Sequence, residues 1–257
     1  MRHLYVIPII HTSADMGSIA STLDDRAAAK LTLELWQRHK EIVSAFWDSI
    51  GRFFDALDVN GLKVYQDGLV ADGVEGLRII REGVSQGSKN YEIIGKLLER
   101  GAVLVKTESL SLVKQEYNYI TKMTHPKSFK EREVAALRYK IVQGKLLKQR
   151  DEFIAGRINE SLVESETGIL FIGAYHDVVR RLAPDIRVVL VKEVSKVREY
   201  HKSLANTKRH ARQLRELGEY LVSSVSLVTL ANSANQADDT TKKVIPTKNN
   251  HGWNASE

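Results

Sequence analysis

Residues 168–177 read Gly-Ile-Leu-Phe-Ile-Gly-Ala-Tyr-His-Asp. A short, unbroken apolar run that turns polar at a histidine and an aspartate is the signature of a strand buried on both faces of a parallel sheet. Such a strand has no solvent-facing side for polar residues to alternate onto. Four other runs share this character: LYVIPII (4–10), LKVYQDG (62–68), AVLVKTE (102–108) and IRVVLVK (186–192). Long stretches of helical periodicity separate them, and these supply the crossovers that parallel strands need. The expected fold is therefore α/β. It has a single, mainly parallel sheet of about five strands flanked by long helices, in one domain over residues 1–223. A C-terminal segment, 224–257, reads as disordered from about 234 because it is polar and aperiodic.

The helices announce themselves by spacing and caps. Leu31, Leu35, Ile42, Ala45, Phe46, Ile50 and Phe53 form a core-facing stripe after Asp24 and Asp25, which suit a helix start. Further helices are expected near 73–84 and 90–100, the latter stopped at Arg100-Gly101. Ser109 opens another, to about Lys122, and His125-Pro126 breaks it. From Ser128 to about Val163 runs one pattern, begun by the capping-box form SFKE (128–131). At ~1.5 Å per residue it would be ~50 Å long. That exceeds a compact domain, so a kink at Gly144 or Gly156, or a protruding arm for self-association, is expected. Residues 193–223 read as helix, with a basic bias from Lys196, Arg198, Lys202, Lys208, Arg209, Arg212 and Arg215.

Composition narrows the chemistry. The chain has 257 residues, no cysteine and a net charge of +6. Absence of cysteine removes disulfides, zinc–thiolate sites and thiol nucleophiles, and suits a reducing, cytoplasmic setting. No apolar stretch approaches the ~20 residues of a membrane span, and residues 4–10 are too few for a signal-peptide core. There is no phosphate-loop motif, no dinucleotide-binding glycine fingerprint and no His-Glu-x-x-His. The loop Gln86-Gly87-Ser88-Lys89 reads as a glycine turn between helices, with phosphate binding at the helix start as the alternative.

In open parallel sheets ligands bind outside the carboxyl ends of the strands. Four strands end in a histidine or carboxylate: His11, Asp67, Glu108 and His176. Together they suit acid–base work or a divalent metal. Three of them also have a plainer reading. His11 would be a hydrogen-bonding residue near a helix start, Asp67 a turn residue before Gly68, and Glu108 a helix cap. Gly173 beside His176 fits close backbone approach at a strand exit. Thr12 and Ser13 are weak nucleophile candidates, since neither sits in a Gly-x-Ser-x-Gly turn.

The segment 150–182, RDEFIAGRINESLVESETGILFIGAYHDVVRRL, resembles the last conserved block of the Tiki/TraB-type family. Its marks are Arg150-Asp151 on a helix, then a strand leading into Gly173-Ala174-Tyr175-His176. His11 in PIIH (8–11) matches the family's N-terminal histidine, with Pro8 where the family has glycine. VYQD (64–67) matches an acidic strand end, with Asp for the usual Glu. The resemblance implies hydrolase-like chemistry. His11, His176, Asp67 and Glu108 would be the metal or acid–base set, and Arg150 would stabilise an anionic group. The plain reading of Arg150 is an ion pair on the surface of a long helix. The substrate would be a small molecule or a peptide. Two other classes stay open: an oligomeric or regulatory protein assembled through the long helix, and a nucleic-acid-associated protein using the basic helix 193–215. No membrane partner is expected.

Overall fold

The structure is a computed structural model that describes residues 1–10, 32–204 and 207–230. Six strands form one sheet: β1 (Arg2–Ile9), β2 (Lys63–Gln66), β3 (Val103–Val105), β4 (Thr167–Gly173), β5 (Ile186–Leu190) and β6 (Val228–Thr229). Their order is β3-β2-β4-β1-β5-β6. All neighbours run parallel except β5 and β6, which are antiparallel. The fold is thus α/β with a mainly parallel sheet. Its sixth strand comes from two residues beyond position 223, too short a run to stand out in the sequence.

Both faces of the central strands are apolar, with period two. Ile7, Ile9, Ile169 and Phe171 point to one side, and Leu4, Val6, Leu170 and Ile172 to the other. The first side is covered by α1 (Leu33–Asp55), which brings Phe46, Trp47, Ile50 and Phe54, and by α3 (Lys89–Glu99), which adds Ile94 and Leu97. The Trp47 indole N–H donates to the Ile10 carbonyl at 3.2 Å and fixes α1 to the end of β1. Between β2 and α3 lies α2 (Gly73–Ser85). The basic stretch is two helices, α6 (Val194–Leu204) and α7 (Thr207–Val222), and His210 is non-helical within the latter. Both pack on this same side through Val197, Tyr200, Leu217 and Leu221.

The second side is covered by the last third of α5 (Phe129–Ser161), through Ile154, Ala155 and Ile158. This 33-residue helix runs unbroken. The expected kink is absent, and a Cβ on Gly144 or Gly156 would meet nothing within 4 Å, so neither glycine marks close packing. Before Leu146 the only buried residue of α5 is Ala135. That outer portion packs along α4 (Leu110–Thr124) as a two-helix arm, turned at His125-Pro126. Among the described residues no helix is long and apolar enough to cross a membrane.

Candidate functional site

Parallel pairing brings the ends of β1, β2 and β4 to one edge. Ile9 lies opposite Gly173, and Gln66 opposite Phe171. The ladder continues one residue further, as Asp67 N–H donates to the Phe171 carbonyl at 2.9 Å. Gly68 then turns the chain away with φ +80°, a left-handed conformation that favours glycine. On β4, His176 N–H closes onto the Gly173 carbonyl at 3.0 Å, a tight turn that folds the imidazole back over the strand end. Gly173 is needed there. A Cβ would sit 2.9 Å from Asp67 Oδ2 and 3.3 Å from the His176 ring.

His176 lies between two carboxylates. Its Nδ1 is 2.6 Å from Asp151 Oδ1, and its Nε2 is 3.4 Å from Asp67 Oδ2. Asp151 is itself held by the Asp177 backbone N–H at 3.1 Å, and Asp67 Oδ2 by the Gly173 N–H at 3.0 Å. Burial alone would pull the imidazole's pKa down, but hydrogen bonds to Asp151 and Asp67 outweigh it and raise it to about 9. His176 is therefore an imidazolium at neutral pH. Arg198 anchors the turn below it, donating to the carbonyls of Ala174 and His176.

Arg150 occupies the centre of the remaining carboxylates. Its Nη2 is 2.6 Å from Asp67 Oδ1, its Nε 2.8 Å from Glu108 Oε1, and its Nη1 pairs with Glu116 on α4. Tyr139 O–H donates to the other Glu116 oxygen at 2.8 Å. Arg150 is 8% exposed, so the surface ion pair expected from its place on a long helix is replaced by a buried network. Burial disfavours its charge, but Asp67, Glu108 and Glu116 keep it firmly protonated. Glu108 is fully buried behind it, with Oε2 lacking any partner. Burial pushes its carboxyl up to about 7 against the pull of Arg150.

These groups floor and border a cleft of ≈ 860 Å³ between the sheet edge and the α4–α5 arm. Asp67, Arg150, His176 and Glu116 line it, Glu108 does not, and Tyr91, Tyr117, Tyr139 and Tyr175 contribute to its walls. Of the residues singled out in the sequence, the structure brings Asp67, Glu108, Arg150 and His176 together. His11, with Thr12 and Ser13, lies outside the described residues. Two partners were not among the expected site residues: Glu116, and Asp151, which entered only as the neighbour of Arg150 in the segment that carries the resemblance. The available signal for Asp151 was its place beside Arg150, two charged residues inside the stripe formed by Leu146, Ile154, Ala155 and Ile158.

Arg150 holds Asp67 Oδ1 and Glu108 Oε1, and among the described residues, which leave out His11, there is no group of three His, Asp or Glu placed to hold an ion. Lys192 is buried against the Tyr220 and Ser223 carbonyls, Lys196 pairs with Glu193 at 2.9 Å, and Arg212 with Glu216 at 2.8 Å. Comparison with protein-family models, with curated proteins and with solved structures finds no match for this chain.

Proposed function

We propose that the protein is a hydrolase whose cleft works by proton transfer between His176 and Asp67. The observation that carries this reading is the imidazolium of His176, locked by Asp151 on one nitrogen and facing Asp67 with the other at a cleft wall. A group with its pKa near 9 is a proton donor at neutral pH, and the ionised carboxylate beside it is the acceptor. Water attacking an acyl or phosphoryl centre would give its proton to Asp67. His176 would give one to the departing oxygen or nitrogen. Arg150 holds Asp67 from behind and keeps its second oxygen turned to His176. Asp151 orients the imidazole, as the acidic member of a nucleophile–base–acid triad orients its histidine.

The resemblance of residues 150–182 to the Tiki/TraB block supports the same reading, with one change. Arg150 serves as the counter-ion of the acid–base pair, and the proton transfers are carried by His176 and Asp67 themselves. The substrate class is a small molecule or short peptide, by the size of the cleft. A second copy of the chain is the partner that the α4–α5 arm supports best.

The test is a panel of p-nitrophenyl ester, peptide-amide and phosphomonoester substrates on the full chain, with and without chelator. Turnover of one class, unaffected by chelator, is expected. His176→Asn and Asp67→Asn should each lower it by about 10²-fold or more, with circular dichroism unchanged. Turnover that survives His176→Asn, or no turnover in any class, would sink the proposal.

A further inference from the structure

The outer portion of α5 is apolar on two opposite sides. One side, with Tyr139, Gln143 and Leu147, faces the cleft and α4. The other carries Val134, Leu137 and Ile141, which are 49%, 63% and 74% exposed. Their spacing of three and then four residues sets them in one stripe. Charges flank it in order. On one shoulder Glu131 is followed a heptad later by Arg138. On the other, Glu133 is followed a heptad later by Lys140. An arm that buries so little of its own surface gains most from a partner.

We propose that this stripe pairs with its own copy, forming an antiparallel two-fold dimer through α5. In an antiparallel helix pair each shoulder meets the same shoulder of the partner helix. A two-fold axis beside Ala135 and Ala136 stacks Val134 of one copy on Leu137 of the other. The same register sets Glu133 of one copy against Lys140 of the other, and Glu131 against Arg138. All four shoulder pairs are then of opposite sign. Parallel pairing in register would instead set each shoulder against the opposite one, so that Glu133 meets Arg138 of the other copy but Lys140 meets Lys145, and Lys130, which continues the stripe, stacks on Lys130. The signs are thus self-complementary, which points to a second copy as the partner, and the antiparallel direction avoids setting Lys130 on Lys130 and Lys140 against Lys145. The cleft lies on the other side of α5 and stays open in this dimer, so the inference stands independently of the hydrolytic reading.

Three apolar side chains per copy make a small contact, so the dimer should form in the micromolar range. Sedimentation velocity of the full chain from about 1 to 200 µM reads it directly. The expected result is a concentration-dependent dimer that Leu137→Lys converts to monomer. Glu133→Lys and Lys140→Glu should each weaken the dimer about 10-fold, and the double reversal should restore it. A chain monomeric at every concentration overturns the proposal. So does a dimer indifferent to Leu137→Lys, which would place the contact elsewhere. A double reversal no tighter than the singles overturns the register.

Discussion

At the scale of single residues, His176 and Glu108 both bind protons more tightly in the folded protein than in the unfolded chain. His176 goes from 6.5 to about 9, and Glu108 from 4.5 to about 7. The two signs work in the same direction. The stabilisation from His176 is full below its unfolded value and is lost as pH rises through 9. Glu108 is free of cost while protonated and costs increasingly as pH climbs from 4.5 to 7. Stability should therefore fall from weakly acid to alkaline pH, by on the order of a few kcal/mol in all. Urea melts at intervals between pH 5 and 9.5 measure it. His176→Asn should flatten the upper part of the fall and Glu108→Gln the lower part. Unchanged slopes in both variants would mean that groups other than these two set the pH response. Asp67 and His176 were legible because each follows directly on an apolar strand, where polar residues mark the strand's end. Asp151 and Glu116 were not, because each sits on a long helix whose facing depends on packing that local sequence does not encode.

At the scale of elements, helix starts and stops were readable, and helix contacts were not. Ser128 caps α5 as its sequence suggested, its hydroxyl accepting the Glu131 N–H at 3.2 Å. The Glu131 carboxylate reaches back one residue further than the capping box implies, to the Lys127 N–H at 2.6 Å. Ser88 likewise caps α3, accepting the Tyr91 N–H at 3.3 Å, so the turn at Gly87 serves helix geometry. What that turn achieves is visible only in three dimensions. It folds α3 back on α2 so that the Tyr91 ring lies flat on Gly83. A Cβ at Gly83 would come within 2.6 Å of that ring. Gly83 is thus a glycine for space, with no unusual backbone angle to give it away. Gly83→Ala should cost about 1–3 kcal/mol by overpacking and push Tyr91, a cleft wall, out of place. If the site is the one proposed, the variant should lose substrate affinity more than turnover rate. Wild-type stability in Gly83→Ala would show that the ring moves freely, and the wall would then be soft.

At the scale of the whole molecule, the topology divides the chain into a well-anchored sheet and a thinly anchored arm. β1 and β4 lie at the centre of the sheet, each paired on both sides, and β3 and β6 close its edges with three and two residues. None of this order was written in the sequence. Five similar apolar runs carry no label for their neighbours, and parallel pairing, unlike a hairpin, is not fixed by a short turn. The end of each strand was readable while its place was not, so convergence of the site had to come from the fold. The same division predicts the pattern of opening. Hydrogen exchange should be slowest in β1 and β4, which open only with global unfolding, and faster along 129–143, where α5 rests on α4 alone. Dilution supplies the discriminating control. If the arm pairs with a second copy, exchange along 129–143 should slow as protein concentration rises through the micromolar range, while β1 and β4 stay constant. The Leu137→Lys variant should show the fast, concentration-independent rate throughout. Protection of 129–143 equal to that of the sheet, at every dilution, would mean that the α4–α5 contact is sufficient by itself and that the arm is a rigid wall of the cleft.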